Sequence, residues 1–308
     1  MDVLEDIFDT FALRGALYFR TDFSAPWAVT VPDYEQVARF HLVVQGRCHV
    51  RTGVDETVEL GPGDLILIPR GQSHELSDQP GRDAPPLETV LQDAGYEDDN
   101  VLVVGSGNPR ASTQMVCGHF SFRQGADHPI LRALPNFIVA SAADRAKEPL
   151  FDETLRLLTR RVFQDAGRSA SAVRRMSEVI FIELLRLGIG ADEHLAKVLG
   201  GLRDPQIGKA LELIHRCPGN PWTVATLAAE VGMSRSSFAD QFRQTVGLGP
   251  MHYLSDWRLQ KALSLLTDSQ LPVQQVAALA GYRSPAAFTR AFSDKFGVAP
   301  TQMRRQSA

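Results

Sequence analysis

At 308 residues, 44% of them apolar and 22% charged, the chain is long enough for two cores and has the make-up of a soluble globular protein. No apolar run approaches the roughly 20 residues that span a bilayer, and the opening MDVLEDIFDT is acidic where a secretion signal is basic, so a cytoplasmic protein with no membrane partner is expected. The net charge of −4 is uneven: 11 Lys and Arg stand against 7 Asp and Glu from Asp204 onward, and 21 against 29 before it, which places any polyanion at the carboxy-terminal end. Cys48, Cys117 and Cys217 are too few in so long a chain for a disulfide framework.

In chain order, strands come first. FHLVVQGRCHVRT, TVELGPGDLILIPRG, HELSD, VLVVGSG and QMVCGHFSF, between Phe40 and Phe122, are separated by Gly, Pro and Asp clusters, the pattern of an antiparallel barrel or sandwich. Within them GDLILIPRGQSHELSD, 63–78, reads as a turn, a strand, a second turn and a histidine, His74, delivered onto the next strand. The acidic, Pro-rich DQPGRDAPPLETVLQDAGYEDDN, 78–100, reads as a mobile surface loop and a candidate lid over the barrel mouth.

Helices follow. Residues 149–166 and 169–189 have helical periodicity, with Leu155, Leu158 and Val162, then Val179, Ile182, Leu185 and Leu187, as apolar positions. Such a stripe is covered either by the chain's own barrel or by a second copy across a two-fold axis. GGLRDP, 200–205, is the expected hinge. Beyond it lies an internal repeat. LAAEVGMSRSSFADQFRQTVGLGP, 227–250, and VAALAGYRSPAAFTRAFSDKFGVAP, 276–300, align Ala228 with Ala277, Gly232 with Gly281, Phe238 with Phe288, Phe242 with Phe292, Gly247 with Gly297 and Pro250 with Pro300. Each copy predicts a short helix, a turn built on Gly and a second helix capped by Ser234 or Ser284, the helix-turn-helix pattern. GPMHYLSDWRLQKALSLLTDS between them predicts one helix of about five turns, begun by Pro250 and packed through Leu259, Ala262, Leu263 and Leu266. At 1.5 Å per residue it spans roughly 25 to 30 Å, which lets the two second helices sit about 34 Å apart, one turn of B-DNA.

Residues 204–305 resemble the DNA-binding domain of the AraC/XylS family of bacterial transcription regulators, through LAAEVGMSRSSFADQFRQTVG, WRLQKALSLL and VAALAGYRSPAAFTRAFSDKFGVAP. The resemblance implies that the exposed side of each second helix reads a major groove: Arg235, Ser236, Ala239, Asp240 and Arg243 in the first, Ala287, Thr289 and Arg290 in the second. Phe238, Phe242, Phe288 and Phe292 are then core. Asp240 departs from the basic or amide residue usual there: either it accepts from a cytosine amino group or it weakens phosphate contact.

The stretch 63–78 resembles the second signature of the cupin barrel, with His74 at its metal-ligand position and Asp78 where Asn is common. The first cupin signature requires two histidines one residue apart and a glutamate upstream of Gly46. The chain has PDYEQVARFHLVVQG there, with Arg39 at the glutamate's place, so the enzyme-type metal site is incomplete. FHLVVQG, GDLILIPRG, CGHFSF and HPILRALP together resemble the sub-group of the family whose sensor carries a Cys-Gly pair on a late strand.

What these resemblances imply is an α+β chain in three parts: a cupin-like antiparallel sensing β-barrel over 1–140, a helical linker and dimerisation region over 141–203, and an all-α double helix-turn-helix domain over 204–308. They imply a regulator, not an enzyme. The implied partners are double-stranded DNA, a second copy of the chain, RNA polymerase, and an effector that is a small molecule, a metal or an oxidant. The alternative, a cupin metalloenzyme with a DNA-binding appendage, needs the histidine pair that the chain lacks. Whether the protein is an activator or a repressor is not written in the residues.

Four residues of the sensor raise a further expectation. His41 precedes the first strand's turn, Cys48 follows it, His74 holds the cupin position and Cys117 lies on a late strand able to return beside the first. Two imidazoles and two thiolates make a tetrahedral set for zinc, Zn(2+), the cofactor expected of the barrel. Two other readings stand beside it: His41 and His74 lining a pocket for an organic effector with the cysteines buried as small apolar residues, or oxidant sensing by Cys48 or Cys117. His49, His119 and His128 read as surface or structural, and Cys217 as inert.

Overall fold

The computed structural model describes residues 2–34, 37–53, 56–97, 101–105, 112–164, 170–188 and 199–306. Its strands are β1 (Arg14–Phe23), β2 (Ala28–Val31), β3 (Val37–Gln45), β4 (Cys48–Thr52), β5 (Glu56–Leu60), β6 (Leu65–Ile68), β7 (His74–Ser77), β8 (Val101–Val104), β9 (Thr113–Ser121) and β10 (Ile138–Ala140). β1, β2 and β10 lie outside the stretches read as strand from the sequence. Two sheets result, ordered β10-β6-β3-β9-β1-β8 and β2-β7-β4-β5. Their ladders do not join among the described residues, so the expected closed barrel is realised as two facing sheets, and β1 pairs with β8 in parallel where antiparallel pairing was expected. Alternation fixes which face of a strand is apolar; closure depends on which strand lies beside which, and that is a tertiary property. Val43, Val50, Ile66, Leu76 and Met115, drawn from both sheets, meet in one core.

β3 and β9 pair with His41 opposite Cys117 and Phe40 opposite Gly118. A Cβ at position 118 would stand 2.5 Å from both the Ala16 carbonyl oxygen and the Phe40 ring. Gly118 is thus a steric requirement of β9, where backbone and ring approach too closely for a side chain.

The described part of 78–100, expected as loop, is in part helical. It forms a helix, Leu87–Asp93, whose Leu87 and Val90 enter the inter-sheet core. The Thr30 amide and hydroxyl donate to the carbonyls of Pro85 and Ala84 at 2.8 and 2.7 Å and hold the segment that leads into it. Residues 98–100 lie outside the described residues.

With Val3–Thr10 as α1, Leu87–Asp93 as α2, Pro129–Arg132 as α3 and Ala142–Arg145 as α4, the two linker helices are α5 (Pro149–Gln164) and α6 (Ala170–Gly188). α6 packs on β1, β10 and α5. Phe181 sets its phase, meeting Phe120 at 4.8 Å and Phe122 at 5.7 Å between ring centres. The buried face is therefore Ile180, Phe181, Leu184 and Leu185; of the expected set only Leu185 is fully buried, and Val179 is 49% exposed. Leu155, Leu158 and Val162 of α5 are buried as expected.

The remaining helices are α7 (Ile207–Arg216), α8 (Val224–Glu230), α9 (Arg235–Val246), α10 (Pro250–Asp268), α11 (Val273–Leu279), α12 (Pro285–Phe296) and α13 (Pro300–Gln306). The expected hinge is ordered: 199–203 are helical, and the Asp204 carboxylate accepts from the amides of Gln206 at 2.9 Å and Ile207 at 2.8 Å, capping α7. Among the described residues no helix is long and apolar enough to cross a membrane.

The chain falls into two compact units, one of Arg14–Phe122 with Leu134–Ala191, called here the sheet unit, and one of Met1–Leu13 with Arg123–Ala133 and Asp192–Ala308, the helical unit. This grouping is not in chain order, as the ranges 1–140, 141–203 and 204–308 are. The first helix and 123–133 belong with the helix-turn-helix part.

Candidate functional site

In the helical unit both copies of the repeat build the same element. The Ser234 hydroxyl accepts from the Ser237 amide at 3.2 Å and begins α9; that of Ser284 accepts from the Ala287 amide at 3.4 Å and begins α12. Both helices end on a left-handed residue, Gly247 (φ 82°) and Gly297 (φ 73°), a conformation that side chains with a Cβ adopt at a cost. Phe238 and Phe242, and Phe288 and Phe292, are fully buried, which fixes the rotation of each helix. On the opposite side Arg235, Ser236, Asp240 and Arg243 are exposed with Ala239 half-buried, and Ala287, Thr289 and Arg290 are exposed. α10 is a single 19-residue helix begun by Pro250, with Leu259, Ala262, Leu263 and Leu266 buried.

In the sheet unit three of the four expected donors stand in a row. His41 Nδ1 lies 3.1 Å from Cys117 Sγ, His41 Nε2 lies 2.8 Å from His74 Nε2, and His74 Nδ1 lies 2.9 Å from the Gln72 carbonyl oxygen. The carbonyl only accepts, so the proton on His74 is at Nδ1 and its Nε2 accepts. His41 must then donate from Nε2 and accept at Nδ1, which leaves the Cys117 thiol as donor. The network thus assigns both tautomers and every proton of a wire running from Cys117 through His41 and His74 to Gln72.

The electrostatics agree with this all-neutral wire. Burial holds His41 well below the ordinary histidine range, helped by His74 and the Arg39 charge. Burial also takes His74 down to about 4, against the hydrogen bond to Gln72. The same desolvation pushes the Cys48 thiol up to about 12 and the Cys117 thiol up further, with Cys48 adding to the second shift. In the metal-free chain both thiols are therefore held in the protonated form at neutral pH.

Cys48 is buried on β4, outside the wire; its Sγ lies 3.7 Å from the His49 carbonyl oxygen. Asp78 is turned towards Arg82 in an ion pair. Because the two ring nitrogens of His41 face different partners, the four expected donors do not converge. Among the described residues no group of three or more His, Cys, Asp or Glu side chains is disposed to hold a metal ion. Beside the wire is a pocket of about 390 Å³, part of it open to solvent. Phe23, Val31, Leu76, Leu102 and Met115 supply apolar wall, and Thr21, Arg39, His41 and Cys117 supply polar atoms. Leu102 and Thr21 were not singled out in the sequence. Each becomes a wall residue only through strand pairing.

Comparison with known proteins bears on both units. A Cupin family model matches residues 2–189 and a Helix-turn-helix domain model matches residues 227–306. The chain is 30% identical to a protein named as an AraC-like transcription regulator in Streptomyces antibioticus, over 99% of each. It is 32% identical to the HTH-type transcriptional regulator AlkR of Acinetobacter baylyi, over 100% of each. Among solved structures, the DNA-binding domain of AdpA in complex with a target DNA aligns with 33% of this chain and 92% of its own length, at 32% identity and a TM-score of 0.32. Both relatives are named as transcription regulators and match along nearly their whole length, in line with the resemblance read from the residues. The chain belongs to the AraC-type transcription regulators, DNA-binding proteins with a cupin domain ahead of the helix-turn-helix domain.

Proposed function

We propose that this regulator works in the cytoplasm as a sensor of a small, predominantly apolar molecule taken up between the two sheets, and that it answers by changing how α9 and α12 engage double-stranded DNA. The observation that carries the reading is the pocket, whose walls are mostly apolar and whose polar atoms include a fully paired neutral wire. A second reading has zinc held by His41, Cys48, His74 and Cys117. It is supported by the chemistry of the donors, and opposed by the separate directions of the His41 nitrogens and by the lack, among the described residues, of three or more donors disposed around one point. Elemental analysis of the chain purified without an affinity tag decides between them. The organic reading expects no stoichiometric metal; about one zinc per chain, lost on His74→Ala and on Cys117→Ser, overturns it.

The base-reading and phosphate roles expected of Arg235, Ser236, Ala239, Asp240, Arg243, Ala287, Thr289 and Arg290 are supported by their shared exposed faces. Dimerisation is supported by apolar side chains that the chain does not cover itself. On α5 and α6, Leu150, Leu157 and Val179 are 82%, 45% and 49% exposed, and Leu150 and Leu157 lie seven residues apart on one face of a helix. Sedimentation of Leu150→Glu/Leu157→Glu is expected to show folded monomer whose melting temperature no longer rises with protein concentration, whereas Leu185→Glu, whose side chain is fully buried, is expected to lower the melting temperature at every concentration. A dimer that survives the double change removes this face as the interface.

A further inference from the structure

The helical unit is completed by two pieces of chain from outside its own stretch, and they are joined to it by buried polar groups whose protons can be placed. The Ile130 amide donates to His128 Nδ1 at 3.2 Å, so the His128 proton sits on Nε2 and is given to the Tyr253 hydroxyl at 2.9 Å. The hydroxyl then donates to His215 Nε2 at 2.6 Å, and His215 Nδ1 donates to Asp6 Oδ2 at 2.8 Å. Lys261 closes the relay on Asp6 Oδ1 at 2.6 Å. His128, Tyr253 and His215 are at most 4% exposed. Every member is satisfied, and a buried network with one member removed leaves its neighbours unpaired in a dry interior, so the joint is either made or broken.

Both reading helices lie within one or two side chains of this joint. Tyr253 meets Phe242 of α9 edge to face at 5.7 Å. Further along, Arg123 Nη1 donates to Asp268 Oδ1 at 3.1 Å and Gln260 Nε2 to the Gly125 carbonyl at 3.0 Å, both on α10, while Lys295 of α12 reaches Asp127 at 3.3 Å. The two pieces also hold each other through the Arg123 amide, which donates to the Phe11 carbonyl at 2.7 Å. Their covalent neighbours are the strands of the pocket. Leu13 runs straight into β1, which supplies Thr21 and Phe23 to the wall; Arg123 follows two residues after the end of β9, which supplies Met115, Cys117 and Gly118.

We propose that α1 and residues 123–133 are the coupling element of this regulator: a change in β1 and β9 when the pocket fills is carried by the continuous chain to the joint that seats α9, α10 and α12. The proposal rests on the pocket as the place where the effector is felt, but not on what the effector is. Coupling between two sites is reciprocal, so DNA held by α9 and α12 must be felt in β1 and β9.

Amide hydrogen exchange of the full chain tests this, with and without a duplex that the wild-type chain has enriched from a random pool. The expected result is a change of at least about fivefold in exchange over 14–23 and 113–121 when the duplex binds, the lower end of usual coupling factors. In Tyr253→Phe, which keeps the ring and removes the hydroxyl, and in Arg123→Ala, that change is lost while the duplex still binds; Arg123→Ala decides alone where Tyr253→Phe fails to fold. Equal exchange in β1 and β9 with and without the duplex overturns the proposal, as does a wild-type change in both variants. A finding of zinc would replace the organic effector without touching this result, so the two readings fail separately.

Discussion

Phe242→Ala is expected to lower the stability of the helical unit by about 3 to 5 kcal/mol, the usual cost of deleting a buried aromatic ring, and with it DNA binding of every kind. The ring is fully buried, with Phe238 at 5.6 Å and Tyr253 at 5.7 Å. Its neighbour in sequence faces the other way. Arg243→Ala, at an exposed position, should leave unfolding within about 0.5 kcal/mol of wild type. It should weaken binding to all duplexes alike and reduce the salt slope by about one, because a phosphate contact carries no sequence information. Arg290→Ala should instead change sequence preference by about 1 to 3 kcal/mol at one base pair. Denaturation curves, salt titrations and a footprint check all three. A footprint confined to one major groove would remove α12 as a reading helix, and wild-type unfolding of Phe242→Ala would remove the ring from the core.

The second large effect is acid sensitivity of the sheet unit. A histidine whose folded value is depressed binds fewer protons in the fold than in the unfolded chain, so stability rises with pH between the two values and is lost as pH falls. For His74 the window runs from the ordinary 6.5 down to about 4. That is about 2 kcal/mol lost by pH 5 and about 3 kcal/mol by pH 4. His41 shifts in the same direction and touches His74, so the pair titrates as one system. Urea titrations at pH 7.5, 6 and 5 are expected to show this loss. His74→Gln, which cannot take up the proton, is expected to reduce the dependence by the share of His74, with the depressed His41 and His119 of the same unit supplying the rest. A wild-type stability independent of pH across this range would mean that the wire is already open to water.

Local chemistry carried the helical unit. Ser caps, left-handed glycines and paired phenylalanines recur in both copies at fixed spacing, and each acts within a few residues of itself, so the turn, the buried face and the exposed side could be read without neighbours. Charge asymmetry and the incomplete cupin signature, both local properties, pointed the same way. For the sheet unit the residues gave Gly turns and alternation, hence β-structure and the importance of His41, His74 and Cys117.

What they could not give was adjacency. His41 and Cys117 are 76 residues apart and meet because β3 pairs with β9; His41 and His74 are 33 apart and meet across the two sheets. The split of a barrel pattern into two open sheets, the phase of α6 and the packing of 78–97 were decided the same way, by which apolar face found which partner. The joint of Asp6 and His215, 209 residues apart, had no signature at all. Composition and periodicity report each residue's preference for burial or exposure, but a hydrogen-bonded pair between distant segments is selected only when the chain has already closed the loop between them, and the free energy of that closure belongs to the whole fold.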